Sequence, residues 1–353
     1  MCNKDQCNYT QRKSSAPDNR VGVGEKMISI VIPNYNGNKY LPKCLKSISR
    51  QTYKDYEVII IDNASTDGSY EWIKDYPDIE FQVLEKNYGF SIAVNCGIQK
   101  AKGEYVLLLN NDTELFEDFL EKILRAIEKD NKVFAVSSKM IQYHHQDLID
   151  DAGDEYTVVG WGHKRGDGAP IDTYMKPKRV FSACAGAALY RKEVFEQIGC
   201  FDEAFFAYLE DMDICYRANI FGYKNIYYPE AKVYHIGSAT SGGKYSDFKI
   251  KLSGRNNIYV IYKNMPLLQL LINLPCLLVG YWIKQWVFKR RGYPTAFKEG
   301  TWEGLKTLKK VKKIPFKFRH IPYYLYIEWV LIRNIFVYMY ELIKLDIITR
   351  NSK

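Results

Sequence analysis

Residues 104–113, EYVLLLNNDT, decide how the rest of the chain is read. Val106, Leu107, Leu108 and Leu109 form a short unbroken apolar run behind Gly103, the pattern of a strand buried on both faces of a parallel sheet. The run ends abruptly in Asn110, Asn111 and Asp112. Polar groups therefore gather at the carboxyl end of a strand, the edge at which open α/β sheets bind ligands. The same residues also read as a plain turn, with Asp112 or Thr113 capping a helix that starts near Leu115.

The flanking segments repeat the pattern. ISIVI (28–32) stops at Pro33 and enters the turn PNYNG, after which Leu41, Leu45 and Ile48 recur at helical spacing. Residues 58–61 make a second buried strand ending in Asp62-Asn63, 80–84 a third, and 91–102 a helix. Leu115, Phe116, Phe119, Leu120, Ile123, Leu124 and Ile127 mark an amphipathic helix, and 133–137 another strand. Strands alternating with helices at this spacing imply an α/β fold with a mainly parallel sheet. A dinucleotide-binding fold would carry its glycine fingerprint between the first strand and first helix. That turn is PNYNG, and the GxG of Gly22 and Gly24 precedes the strand, so the dinucleotide reading fails.

The bulk numbers suit one large or two modest domains: 353 residues, 47% hydrophobic and 26% charged, with 29 Tyr and 17 Phe. Eight cysteines without a CxxC pair read as buried free thiols of a reducing compartment. Residues 1–26 are polar, with no apolar h-region, and read as a flexible leader. The net charge of +9 is concentrated: residues 284–319 hold twelve Lys/Arg against Glu299 and Glu303, leaving the remainder near −1. Residues 143–178, with IDDAG and GWGHKRGDG, are irregular and rich in Asp, Gly and His, and so long a loop is functional or disordered.

Seven motifs then fall in one order: VIPNYN, IDNASTDGS, NYGFSIAVNCG (87–97), LNNDT, GAALYR (186–191), the stretch from Gly199 to Arg217 containing FDEAFFAYLEDMD, and VYH. In that order the chain resembles an inverting family 2 glycosyltransferase of GT-A fold, nearest the bacterial rhamnosyltransferases of surface-polysaccharide assembly. The resemblance covers residues 27–263. It implies a nucleotide-sugar donor and a divalent metal, Mn²⁺ or Mg²⁺. Where the family has DxD this chain has Asn110-Asn111-Asp112, which leaves one carboxylate for the metal.

By the same resemblance, Asp112 and His235 are metal ligands, and an imidazole ligand tilts the choice towards Mn²⁺. Pro33, Tyr35 and Asn36 are placed at the nucleoside and Asp62 at its base. Asn87, Gly89 and Asn95 fall by the ribose and diphosphate, and Asn110 and Asn111 on the same nucleotide-sugar side. Asp211 matches the general base. Phe205, Phe206, Tyr208 and Glu210, with Trp161, are the acceptor side. Structural alternatives stand beside several of these: Asp62 as a cap, Gly89 and Gly97 as tight-turn residues, and Asp213 as the i,i+4 partner of Arg217.

Residues 264–353 read as a basic, aromatic, helical region. The apolar run 267–283 is interrupted by Gln269, Asn273 and Pro275, marginal for a spanning helix. Beside the basic stretch this favours amphipathic segments on an anionic membrane surface over nucleic-acid binding. A helical subdomain packed on the enzyme, or on a second copy in a homodimer, is the alternative. The whole reads as a transferase at the cytoplasmic face of the plasma membrane, moving L-rhamnose from dTDP-rhamnose to a lipid-linked saccharide. A transferase using a UDP-hexose, or a membrane scaffold with a degraded site, are the rivals.

Overall fold

The computed structural model describes residues 26–69, 71, 73, 76–237 and 245–351. Save for Lys26, the expected leader lies outside the described residues. The first half follows the expected alternation. It runs β1 (Ile28–Asn34), α1 (Leu41–Ser49), β2 (Tyr56–Asp62), β3 (Ile79–Val83), α2 (Phe90–Lys100), β4 (Tyr105–Leu109), β5 (Thr113–Leu115), α3 (Phe119–Glu128) and β6 (Val133–Gln142). Short strands fill the irregular stretch: β7 (Ile149–Asp151), β8 (Asp154–Tyr156), β9 (Gly162–Lys164) and β10 (Lys178–Val180). β11 (Ala187–Arg191), α4 (Lys192–Ile198), α5 (Glu210–Ile220) and β12 (Lys224–His235) follow. The chain then turns helical, with α6 (Asp247–Asn264), α7 (Leu267–Arg290), α8 (Ala296–Lys306) and α9 (Ile321–Asn351).

The main sheet is ordered β10-β12-β6-β11-β4-β1-β2-β3. It is mixed, which corrects the mainly parallel expectation. β11 runs antiparallel between β4 and β6, and β10, β5 and β7 also pair antiparallel. The middle strands are apolar without a break because both faces are covered. Ile28, Ile30, Ile32, Leu107 and Leu109 face α1 and α3, while Val31, Ile59, Ile61, Val106 and Leu108 face α2, α4 and α5. Gly97 belongs to this packing: a Cβ there would sit 2.2 Å from Val31 Cγ1, so α2 can lie this close to β1 only with glycine.

Two expectations fail for identifiable reasons. The helix expected from Leu115 begins at Phe119, because Thr113–Leu115 is drawn into the sheet as β5, pairing Val233↔Leu115 and His235↔Thr113. Asp112 and Thr113 therefore cap nothing. The cysteines are not all free: Cys96 and Cys200 are disulfide-bonded, beside the hydrogen-bonded pair Asn95 and Phe201. Cys44, Cys184, Cys215 and Cys276 are free, and Cys2 and Cys7 lie outside the described residues.

The C-terminal helices share a core with the sheet domain. Phe181, Phe205, Tyr216 and Ile220 pack with Tyr259 of α6, Leu277 of α7, and Ile327 and Leu331 of α9. α7 is turned inside out. Its buried positions are Gln269, Asn273, Leu277 and Gly280, while Leu267, Leu268, Leu271, Ile272, Trp282 and Trp286 are exposed. Gln269 and Asn273 both donate to Glu328 Oε2 of α9, at 2.7 and 2.8 Å. Among the described residues α7 is the one helix long and apolar enough, by length and composition, to cross a membrane.

Candidate active site

β1 lies between β2 and β4 because the chain proceeds from β1 to β2 and β3 on one side, then returns to place β4 on the other. Such a switch point opens a ligand crevice at the carboxyl ends of the strands. Asn34, fully buried at the end of β1, pins it: its Oδ1 accepts from Asn111 Nδ2 at 2.7 Å, and its Nδ2 donates to Asp62 Oδ2 at 2.6 Å. Gly37 is required beside this pin, since a Cβ there would lie 2.1 Å from Asn34 Oδ1. Asp62 stands at the end of β2, beside Asn34. It has no exposed surface, and its oxygens accept from Asn34 and from Ser65 N and Oγ, both at 2.7 Å. Pro33 is half-buried, Tyr35 exposed, and Asn36 stands at φ +50° with its Oδ1 accepting from Thr66 N at 2.8 Å.

Asn87 Oδ1 accepts from Gly89 N at 2.9 Å, and Gly89 has φ +89°, a conformation that favours glycine. A Cβ on Gly89 would also meet Phe206 O at 2.5 Å. Asn95 is buried, donating to Phe201 O at 2.8 Å and accepting from Phe201 N at 3.0 Å, so the backbone of Phe201 holds its amide. Asn110 is half-buried, and its N–H donates to Gly186 O at 2.9 Å.

Pairing of β5 with β12 carries His235 to Asp112. His235 Nε2 lies 3.4 Å from Asp112 Oδ1, and Nδ1 lies 2.8 Å from Asp150 Oδ2. Lys164 Nζ reaches both oxygens of Asp150, at 3.2 and 3.0 Å. Burial alone would depress the imidazole, but Asp112 and Asp150 on its two nitrogens raise it to about 9. Burial would raise Asp150, and Lys164 and His235 overcome that and hold it below the usual carboxylate range. A carboxylate oxygen and an imidazole nitrogen at this separation suit two ligands of one divalent cation, each at about 2.0–2.2 Å.

The acids at the start of α5 divide by environment. Asp213, fully buried, is held by Arg217 Nη2 and Lys263 Nζ, both at 2.9 Å, and by Asn264 Nδ2 at 2.8 Å. Asp211 is half-buried; Met212 N donates to its Oδ1 at 2.7 Å and Ala185 N to its Oδ2 at 3.4 Å. Burial raises its pKa against those N–H groups and Lys164. Glu210 is buried, with no partner on Oε2, and is pushed well above the usual range by burial and then by Asp211. The approach to this helix is strained: Phe206, Tyr208 and Leu209 all have φ between +65° and +72°.

The expected acceptor wall is redistributed. Phe205 is fully buried against Tyr259, with ring centroids 5.7 Å apart, and so belongs to the core. Phe206 and Tyr208 are half-buried. Trp161, half-buried, docks on α7, its Nε1 donating to Gly280 O at 3.1 Å. Sequence reasoning missed Asn34, Asp150 and Lys164. It also missed Asp151 and Asp154, whose carboxylates lie with Cys184 Sγ within 4.8 Å of one another. The acid density of IDDAGDE was the available signal.

Residues 29–199 match the model of the family described as glycosyl transferase family 2. Over that stretch, just under half of the chain, it is similar to family 2 glycosyltransferases. Similar proteins include glycosyltransferase GlyA of Streptococcus pneumoniae, 35% identical over 28% of this chain and 15% of its own length. Glycosyltransferase GlyG of the same species is 38% identical over 31% and 38%. An uncharacterized glycosyltransferase of Rickettsia prowazekii is 29% identical over 57% and 61%. The chain thus spans between about one seventh and three fifths of these curated relatives. Among solved structures, the domain is similar to GalNAc-T7 with UDP, GalNAc and Mn²⁺ (TM-score 0.56, 20% identity, 67% of this chain and 47% of that one). It is also similar to the mannosyltransferase PcManGT of Pyrobaculum calidifontis with GDP-Man and Mn²⁺ (0.51, 16%, 83% and 78%). At these identities the likeness establishes the GT-A-like fold.

Proposed function

We propose that the chain is an inverting, metal-dependent glycosyltransferase moving a sugar from a nucleotide-sugar donor to a hydroxyl of a lipid-linked saccharide in surface-polysaccharide assembly. The observation that carries this reading is the meeting of Asp112 and His235 at the switch-point edge. Asp211 is tied to the same edge through Ala185, whose neighbour Gly186 accepts from Asn110 N. A divalent cation held by Asp112 and His235 would neutralise the departing diphosphate. Asp211, its proton affinity raised by burial, accepts the proton of the acceptor hydroxyl as that oxygen attacks the anomeric carbon. The bond to the diphosphate breaks with its electron pair on the leaving oxygen, on the face opposite to attack. The resemblance of the motifs to those of bacterial rhamnosyltransferases is the ground for dTDP-L-rhamnose as donor. The two structural neighbours hold UDP and GDP-Man, so the fold admits several nucleotides and a UDP-hexose stands as the second reading.

The exposed leucines and tryptophans of α7, beside the +10 stretch, support docking on an anionic bilayer at the cytoplasmic face, with a second copy of the chain as the alternative occupant. The test is a panel of nucleotide sugars with Mn²⁺, read by thermal shift and by donor hydrolysis. One donor should raise the melting temperature, EDTA should abolish turnover, and Mn²⁺ should restore it except in Asp112→Ala. Turnover at full rate in EDTA would remove the metal. A chain that binds and hydrolyses no nucleotide sugar would be the scaffold instead.

A further inference from the structure

The strand pair that ends in Asp150 lies outside the motifs that carry the family resemblance, yet it reaches the metal edge. After β6, residues 143–148 turn the chain back: Gln142 N donates to Leu148 O at 3.0 Å, and β7 pairs antiparallel with the end of β6. On its other side the same end of β6 pairs with β12, His235 opposite Gln142. Asp150 and His235 are therefore brought together across one strand, which gives the 2.8 Å contact at Nδ1. Lys164, from β9, closes on both carboxylate oxygens of Asp150 and fixes its orientation. Both ring nitrogens of His235 are thus assigned, one to Asp150 and the other towards Asp112.

A histidine that binds a metal through one nitrogen keeps a proton on the other. A carboxylate accepting that proton fixes both tautomer and ring orientation. We propose that Asp150 is the positioning residue for His235, holding the proton on Nδ1 so that the Nε2 lone pair faces Asp112 and a divalent cation, with Lys164 holding Asp150 in turn. This rests on the reading that Asp112 and His235 are the metal ligands. It gives the irregular stretch its purpose: β7 supplies the carboxylate and β9 the lysine that steadies it.

The experiment measures Mn²⁺ affinity by electron paramagnetic resonance of free Mn²⁺, on the full chain in the presence of UDP. Variants are Asp150→Ala, Asp150→Asn, His235→Ala and the double variant His235→Ala with Asp150→Ala. Loss of such an outer partner costs about 10–100-fold in metal affinity. Asp150→Ala should show that loss and Asp150→Asn a smaller one, because its amide oxygen still accepts from Nδ1–H. Turnover of both should recover at high Mn²⁺. Removing Asp150 in the His235→Ala background should change Mn²⁺ affinity no further, since coupled residues are non-additive. A purely structural residue would lower both backgrounds alike. Unchanged Mn²⁺ affinity in folded Asp150→Ala, or equal losses with and without His235, overturns the proposal. If Asp150→Ala fails to fold, near-isosteric Asp150→Asn decides alone, and wild-type affinity in it overturns the proposal. Wild-type chain that binds no Mn²⁺ overturns the metal reading itself, a result separate from any of these.

Discussion

Three acids lie within four residues at the start of α5, and their surroundings predict three different outcomes. Asp211→Asn, nearly isosteric, should lower kcat by about 10²-fold or more, because a positioned base contributes roughly 10²–10⁴-fold. Donor affinity and melting temperature should hold; near wild-type turnover in this variant beside a dead Glu210→Gln would move the base to Glu210. Because burial raises the Asp211 pKa, the acidic limb of the wild-type rate profile should lie above the roughly 3.9 of an ordinary aspartate. Asp213 behaves oppositely. Burial would raise it, but Lys263 and Arg217 hold it below the usual range, so its contribution is full above about pH 4 and is lost as pH falls through the lower folded value. Asp213→Asn should therefore cost about 3 kcal/mol at neutral pH, the scale of a broken buried pair, with the gap to wild type closing in acid. Denaturant melts from pH 7 to pH 3 check the sign. The Asp213–Arg217 pairing was legible from i,i+4 spacing alone. The Asn34–Asn111 pin was not, because a contact between two strand ends 77 residues apart leaves no local pattern.

Among the elements, β1, β2 and β4 were readable because burial on both faces demands an unbroken apolar run. β7, β8 and β9 were not: three residues are too short for any periodicity, and the acids they carry were missed with them. β5 was misread as a first helical turn, since Thr-Glu-Leu suits either state and only pairing with β12 decides. α7 is the instructive case. Gln269 and Asn273 look in sequence like blemishes in an apolar segment, and in the fold they are its seam. Leu271→Ser with Trp282→Ser should weaken partitioning to anionic liposomes by about tenfold or more, at about 1.5–3 kcal/mol for each large side chain left unburied. Melting should barely change, since both side chains are exposed. Gln269→Leu with Asn273→Leu should do the reverse, destabilising by about 1–3 kcal/mol because Glu328 loses its buried donors, with no gain in binding. Liposome flotation alongside thermal melts separates the two. Binding should also fall with salt, as surface charges are screened over about 8 Å near physiological strength; equal binding to neutral vesicles would remove the electrostatic part.

At the scale of the whole molecule, the expected boundary near residue 263 is a seam inside one core. Lys263 and Asn264 hold Asp213, and Leu277, Ile327 and Leu331 close over Phe205 and Tyr216. Truncation after residue 263 should therefore yield insoluble or molten protein rather than a released soluble enzyme; a cooperative melt from the truncated chain would show that the two parts fold apart. The sheet order has a further consequence, in time. Among the described residues β12 is the last strand synthesised but an inner one, lying between β10 and β6. Until residue 235 has left the ribosome, much of one side of β6 stands open, an unpaired edge of the kind that recruits other chains. At about 5–20 residues per second, the 55 residues from His235 to the end of α7 at Arg290 take roughly 3–11 s to make. The sheet can close in that interval, while the apolar face of α7 is still being delivered. A nascent chain therefore reaches α7 with its sheet paired but its shared core still open, and pausing translation before residue 235 is the point at which aggregation should peak.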